Sequence, residues 1–122
     1  MKPMIFSVEE AFKQLQQRGR VTSARSSPRE EGEEVWIRKT RTGEKQFEAK
    51  ITHITKIKWT DKRNLYGHLH DHDLISGFKT HIKWYEKLEE LHSEIPNPLY
   101  IHTVERKSEA PNDLRRKEVQ KA

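Results

Sequence analysis

The sequence predicts an α+β domain: a small mixed, mostly antiparallel barrel of roughly five or six strands with two main flanking helices. Three observations carry that expectation. Two segments, near residues 7 to 17 and 80 to 94, place apolar residues at helical spacing. Between them apolar and polar residues alternate, the period of a strand with one buried face. The 122 residues amount to one domain, and 32 % hydrophobic content supplies only a modest core.

Taken in order, Ser7-Val8-Glu9-Glu10 has the form of a capping box, in which a serine hydroxyl and a glutamate carboxylate satisfy the free N–H groups of a helix start. Val8, Ala11, Phe12 and Leu15 then form one apolar stripe, and Gly19 ends the helix. Val21 and Thr22 favour a strand. Ser26 to Gly32, with Pro28 inside it, is turn chemistry. Glu34 to Arg38 reads as the next strand, and Thr42-Gly43 connects it to a long one over Gln46 to Trp59. There Phe47, Ala49, Ile51, His53, Thr55 and Ile57 occupy one face, while Ile54 breaks the alternation and marks either a bulge or a turn of the strand around a barrel. Residues 60 to 77 are polar and irregular, so they read as a loop with at most one helical turn. Ile82, Trp84, Tyr85, Leu88, Leu91 and Ile95 make the broad face of a second helix, which Pro96-Asn97-Pro98 stops. Leu99 to Val104 is the last strand. The domain therefore spans residues 1 to 106, and residues 107 to 122 read as a basic, disordered tail.

Charge is segregated along the chain. Residues 18 to 63 carry thirteen Lys/Arg against seven Asp/Glu, net +6, whereas residues 64 to 105 carry three against seven, net −4. A concentrated basic half attracts a polyanion through phosphate neutralisation and counterion release, which makes RNA or a nucleotide the expected partner. The bland alternative is a solvated, lysine-rich surface. No apolar run reaches the roughly 18 residues of a membrane span, and Met1 to Phe6 is too short and interrupted for a signal peptide. The absence of cysteine removes disulfides and thiolate metal sites and suits a reducing, cytoplasmic setting.

Two stretches resemble the ASCH family of the PUA-like superfamily, small barrels that bind RNA or modified nucleotides in a cleft. Gly19-Arg20-Val21-Thr22-Ser23-Ala24-Arg25 is similar to the family's G-x-K-x-x-E-x-R signature, followed at Gly32-Glu33-Glu34-Val35-Trp36-Ile37 by its acidic turn and hydrophobic strand. Ser76-Gly77-Phe78, Trp84 and Leu99-Tyr100-Ile101 are similar to its "G-F", amphipathic helix and closing strand. Aligned from Arg25, the chain departs from the signature in three ways. Arg20 replaces the lysine, Ser23 replaces the glutamate, and Gly19 sits one residue closer.

The resemblance implies a cleft lined by Arg20, Ser23, Arg25, Ser26 and Arg29. Guanidinium forks suit phosphates and base edges. By strand parity Ser23 and Arg25 share a face, and Arg20 stands at the strand entrance. Trp36 and Trp59 are candidates for stacking on bases, although such residues are more often core. Some ASCH members hydrolyse an acetyl group from a modified cytidine with a Lys, a Thr and a Glu, and others are reported as ribonucleases, so an RNA-processing enzyme is the alternative to a binding module. Ser23 has the hydroxyl for such chemistry, but Arg20 cannot act as a base, and Ser76 stands where the family's glutamate would. His68, His70 and His72 would share one face of a strand and offer metal ligands. In a loop they are a polar, pH-sensitive segment, so no metal, cofactor or catalytic residue is expected.

Overall fold

A computed structural model describes residues 1–107. β1 (Lys2–Ile5) leads into α1 (Glu9–Arg18), followed by β2 (Arg20–Arg25), β3 (Glu34–Arg38) and β4 (Phe47–Ile57). α2 (Lys62–His70), a 3-10 turn (Asp73–Ile75) and α3 (His81–Leu91) precede β5 (Leu99–Arg106). The five strands form one mixed sheet in the order β1-β3-β4-β5-β2, with β1 and β3 parallel and the other pairs antiparallel. The chain is thus α+β. The sheet is open, with β1 and β2 as its two edges.

Alternation along the strands distributes two hydrophobic cores. Met4, Phe6, Leu15, Val35, Ile37 and Ile51 belong to the first, where α1 packs with the sheet. Leu65, Leu69, Trp84, Leu88, Leu99 and Ile101 belong to the second, beneath α2 and α3. β2 and β5 serve both: Val21 and Val104 are in the first core, while Ala24 and Ile101 pack in the second. Thr22 is buried on the second side, its hydroxyl donating to the His72 carbonyl at 2.7 Å.

Several expectations need correction. The capping box does not form. Val8 is the residue preceding the helix, its backbone is extended (φ −84°, ψ 117°), and no side chain caps it. The chain stays extended that far because β1 pairing continues into Phe6, whose N–H donates to the Arg38 carbonyl. Gly19 does end α1, with φ 85° and its N–H on the Leu15 carbonyl. β1 has no clear signal in the sequence: Met4 and Phe6 alternate inward over too short a run to stand out, and Pro3 fits on a strand that, among the described residues, pairs on one side with β3.

The long strand's irregularity falls between Ile51 and His53, not at Ile54. Thr52 is the extra residue, so His53 and Thr55 turn outward and Ile54 turns toward the first core. Residues 62 to 70 form a helix where a loop was expected. The Asp61 carboxylate accepts from the Asn64 N–H at 2.8 Å, and Leu65 and Leu69, one turn apart, are fully buried. On α3, Trp84, Tyr85 and Leu88 are buried as expected, but Ile82 and Leu91 face solvent. Most of the tail predicted for residues 107 to 122 lies outside the described residues. Lys107 itself is anchored, pairing with Glu34 at 2.8 Å. Among the described residues, no helix is long and apolar enough to cross a membrane.

Candidate functional site

A solvent-open cavity of about 260 Å³ lies where the two sheet edges approach each other. Residues 5–8 at the end of β1 form one wall, residues 22–26 of β2 another, and α3 with Phe78 the third. The backbone places these side chains by simple rules. Ser23 and Arg25 lie two apart on β2 and point to one face, while Trp84, Lys87, Leu88 and Leu91 recur at three- and four-residue spacing along α3.

Arg25 is the central polar group. Its Nη2 donates to the Ile5 carbonyl at 2.8 Å and its Nε to Ser23 Oγ at 3.1 Å, while the guanidinium sits over the Phe6 ring, 4.7 Å from the centroid. It therefore spans the gap between edge strands β1 and β2. Among the described residues it forms no ion pair with a carboxylate, and none of the cavity's lining residues is acidic. Burial first, and the neighbouring Arg29 charge second, pull the guanidinium down to about 10. It remains a cation at neutral pH, with fewer compensating partners than a surface arginine has in water.

The rest of the lining is mixed. Phe78 and Trp84 lie nearly parallel, with centroids 6.4 Å apart and planes 11° apart, and form an aromatic wall. Ser7, Ser23 and Ser26 supply hydroxyls. Lys87 contributes a second cation, but its ammonium bonds Glu90 at 2.6 Å. That hydrogen bond raises the lysine above its ordinary value although burial works the other way, which keeps the amine protonated.

Of the residues singled out from sequence, Ser23, Arg25 and Ser26 come together here. The arginines and tryptophans named beside them lie elsewhere. Arg20, at the opposite end of β2 and roughly 16 Å along the strand from Arg25, pairs on the surface with Glu105 at 3.5 Å. Arg29 is turned to Glu33 at 2.9 Å, and its backbone N–H donates to His102 Nε2 at 3.1 Å. Trp36 faces outward from β3 with the Arg38 guanidinium 4.6 Å from its ring. Trp59 is a packing residue, its indole N–H on the Pro96 carbonyl at 2.9 Å. Phe78, Trp84 and Lys87 were missed as a wall. Their spacing identified a loop end and a helix, but only packing decides which part of α3 meets β2.

Two other clusters are rearranged relative to the sequence reading. Ser76 is fully buried, its hydroxyl donating to the Asp73 carbonyl and accepting from the Phe78 N–H, which shapes the turn before α3. His68 and His70 lie on α2, about 200° apart around the helix axis, and His72 follows it, so the three do not share a strand face. Instead His70, Asp73 and His81 converge. Comparison with protein-family models, with curated proteins and with solved structures finds no match for this chain.

Proposed function

We propose that this protein is an RNA- or nucleotide-binding module of the PUA-like, ASCH type, acting in the cytoplasm, and that it holds one nucleotide unit in the cavity between β1, β2 and α3. The observation that carries the reading is Arg25: a half-buried guanidinium at the cavity wall with no carboxylate partner among the described residues. An anion brought there makes charge-assisted hydrogen bonds without displacing an existing ion pair. The aromatic wall of Phe78 and Trp84 complements the flat face of a base. A volume of about 260 Å³ is below the usual range of roughly 300 to 1,000 Å³ for drug-sized ligands, which suits a single base or nucleoside better than a duplex. Arg25, by spanning both sheet edges, also supports the barrel-like closure that the family resemblance implies.

The amidohydrolase alternative has less support. Ser23 Oγ accepts from Arg25, which is no base, and Lys87 is held protonated by Glu90. The reading is therefore binding.

The test is a titration of the full chain with tRNA, single-stranded RNA and DNA at several salt concentrations, following tryptophan fluorescence. Arg25→Ala is expected to weaken RNA binding at least tenfold, since a hydrogen bond to a charged group contributes about 1.5 to 3 kcal/mol. Arg20→Ala should cost less, because that side chain is already paired on the surface. If Arg25→Ala binds normally while removal of residues 108–122 abolishes binding, the cavity is not the site and attraction is diffuse.

A further inference from the structure

Three segments meet at the end of the helical layer. His70 closes α2, Asp73 opens the 3-10 turn, and His81 opens α3. Asp73 Oδ2 lies 3.4 Å from His70 Nδ1 and 3.7 Å from His81 Nδ1, and one ligand atom from each residue falls within 4.8 Å of the others. Both Asp–His separations exceed the roughly 2.7 to 3.2 Å of a good N–H···O hydrogen bond. They are close to the edge of about 3.3 Å expected between ligand atoms placed tetrahedrally at roughly 2.0 to 2.1 Å from zinc.

The surroundings favour this arrangement over a chance meeting of polar side chains. The His81 ring packs edge-on against Tyr66, and the His70 ring edge-on against His81 with centroids 4.9 Å apart, so neither imidazole is isolated. Side chains of Asp73 and His81 are only 23 % and 27 % exposed, whereas His70 is 68 % exposed. Two ligands are thus half-buried and the third is exposed; His70 already stands 3.4 Å from Asp73, so the adjustment to a common ion falls to rotation of the two imidazoles about Asp73. The solvent side also leaves a coordination position for water.

We infer that His70, Asp73 and His81 bind one divalent transition-metal ion, zinc being the ion that two imidazoles and a carboxylate suit best. The bound ion ties the end of α2 to the start of α3 through the 3-10 turn. It thereby braces the layer that covers β2 and β5 and carries one wall of the cavity. This inference does not depend on what the cavity binds.

The experiment uses the full chain, stripped of metal with a chelator, dialysed at neutral pH and titrated with zinc chloride by calorimetry. Cobalt(II) absorption serves as an independent report of tetrahedral coordination. One equivalent should bind saturably, and zinc at a hundredfold excess over Kd should raise Tm by about 5 °C or more. Asp73→Asn and His70→Gln should each weaken binding at least tenfold, while the double variant His68→Gln/His72→Gln should bind as the wild type does. His70 is exposed, so His70→Gln tests the site even if Asp73→Asn folds poorly. Absence of saturable binding overturns the inference. So does zinc binding that survives both site variants or disappears in the His68/His72 double variant, since either result assigns the metal to other histidines.

Discussion

The two faces of the sheet are held by different means. On the first, one ten-residue helix packs a continuous stripe of Ala11, Phe12 and Leu15 against strands that also contribute Met4, Val35, Ile37 and Ile51. On the second, coverage comes from a nine-residue helix, a three-residue turn and an eleven-residue helix, joined by polar segments and fixed by a few apolar anchors. The ladder hydrogen bonds of β3, β4 and β5 belong to the sheet itself. The helical layer is stabilised by side-chain burial and by isolated bonds such as that from Thr22 to the His72 carbonyl. Such a layer is the part of a small domain most able to open by itself. The cavity draws its walls from both regions, so its shape depends on how the weaker one docks.

The largest effects should separate the two cores. Leu15 and Leu69 are both fully buried, one in each. Replacing either with Ala should cost about 2 to 5 kcal/mol in urea unfolding. Amide exchange provides the contrast: Leu69→Ala should strip protection from residues 62–91 first, whereas Leu15→Ala should lower it throughout the sheet. Simultaneous loss everywhere in both variants would mean that the faces unfold as one unit.

Gly77 joins the regions. Its φ is 91°, and a Cβ there would collide with the Glu10 carbonyl on α1. Gly77→Ala combines backbone strain with that clash and should cost about 2 to 4 kcal/mol, measurable as a fall in Tm. A near-neutral result would show that the turn before α3 can move away from α1. Thr22→Val removes the hydroxyl donated to His72 and leaves that carbonyl without this partner. A loss of about 1 to 2 kcal/mol is expected, with exchange rising most around residues 72–76.

The smallest effect at neutral pH concerns His102, buried on the first side. Its Nε2 accepts from the Arg29 N–H and its Nδ1 faces the Tyr100 carbonyl at 3.2 Å, which assigns the proton of the neutral ring to Nδ1. Burial is the main cause holding its pKa below the ordinary 6.5; the Tyr100 carbonyl and Glu33 oppose the shift, and Arg25 and Arg29 add to it. A depressed folded value means that the unfolded chain binds the proton more tightly. Stability should therefore be full above pH 6.5 and decline as pH falls from there through the folded value. His102→Gln should flatten that slope in denaturation curves between pH 7 and 5. An unchanged slope would assign the acid sensitivity to other groups.

Much of the first region was legible. The stripe of Val8, Ala11, Phe12 and Leu15 and the stop at Gly19 identify α1 because a helix repeats every 3.6 residues and a glycine accepts a left-handed φ. Alternation identifies β3 and most of β4 for a similar reason. α2 was less legible: its two inward leucines are separated by Gly67 and surrounded by polar residues, so its apolar period is too brief to distinguish from a loop. The local signal for α2 is the Asp61–Asn64 cap ahead of Leu65.

The candidate site divides along the same line. Ser23 and Arg25 were predictable as a pair, since strand parity alone puts them on one face. That Arg25 reaches Ile5, that Arg20 and Arg29 turn to Glu105 and Glu33, and that Phe78 and Trp84 supply the opposite wall follow from long-range packing. The sequence by itself determined the class of the fold, the positions of α1, β3, β4 and β5, and the presence of a basic half, because these depend on periods and charges counted along the chain. Only the tertiary structure decided that the arginine lining the cavity keeps no carboxylate partner among the described residues, and which histidines meet Asp73. Those outcomes depend on distances between residues far apart in sequence, and no local period encodes such distances.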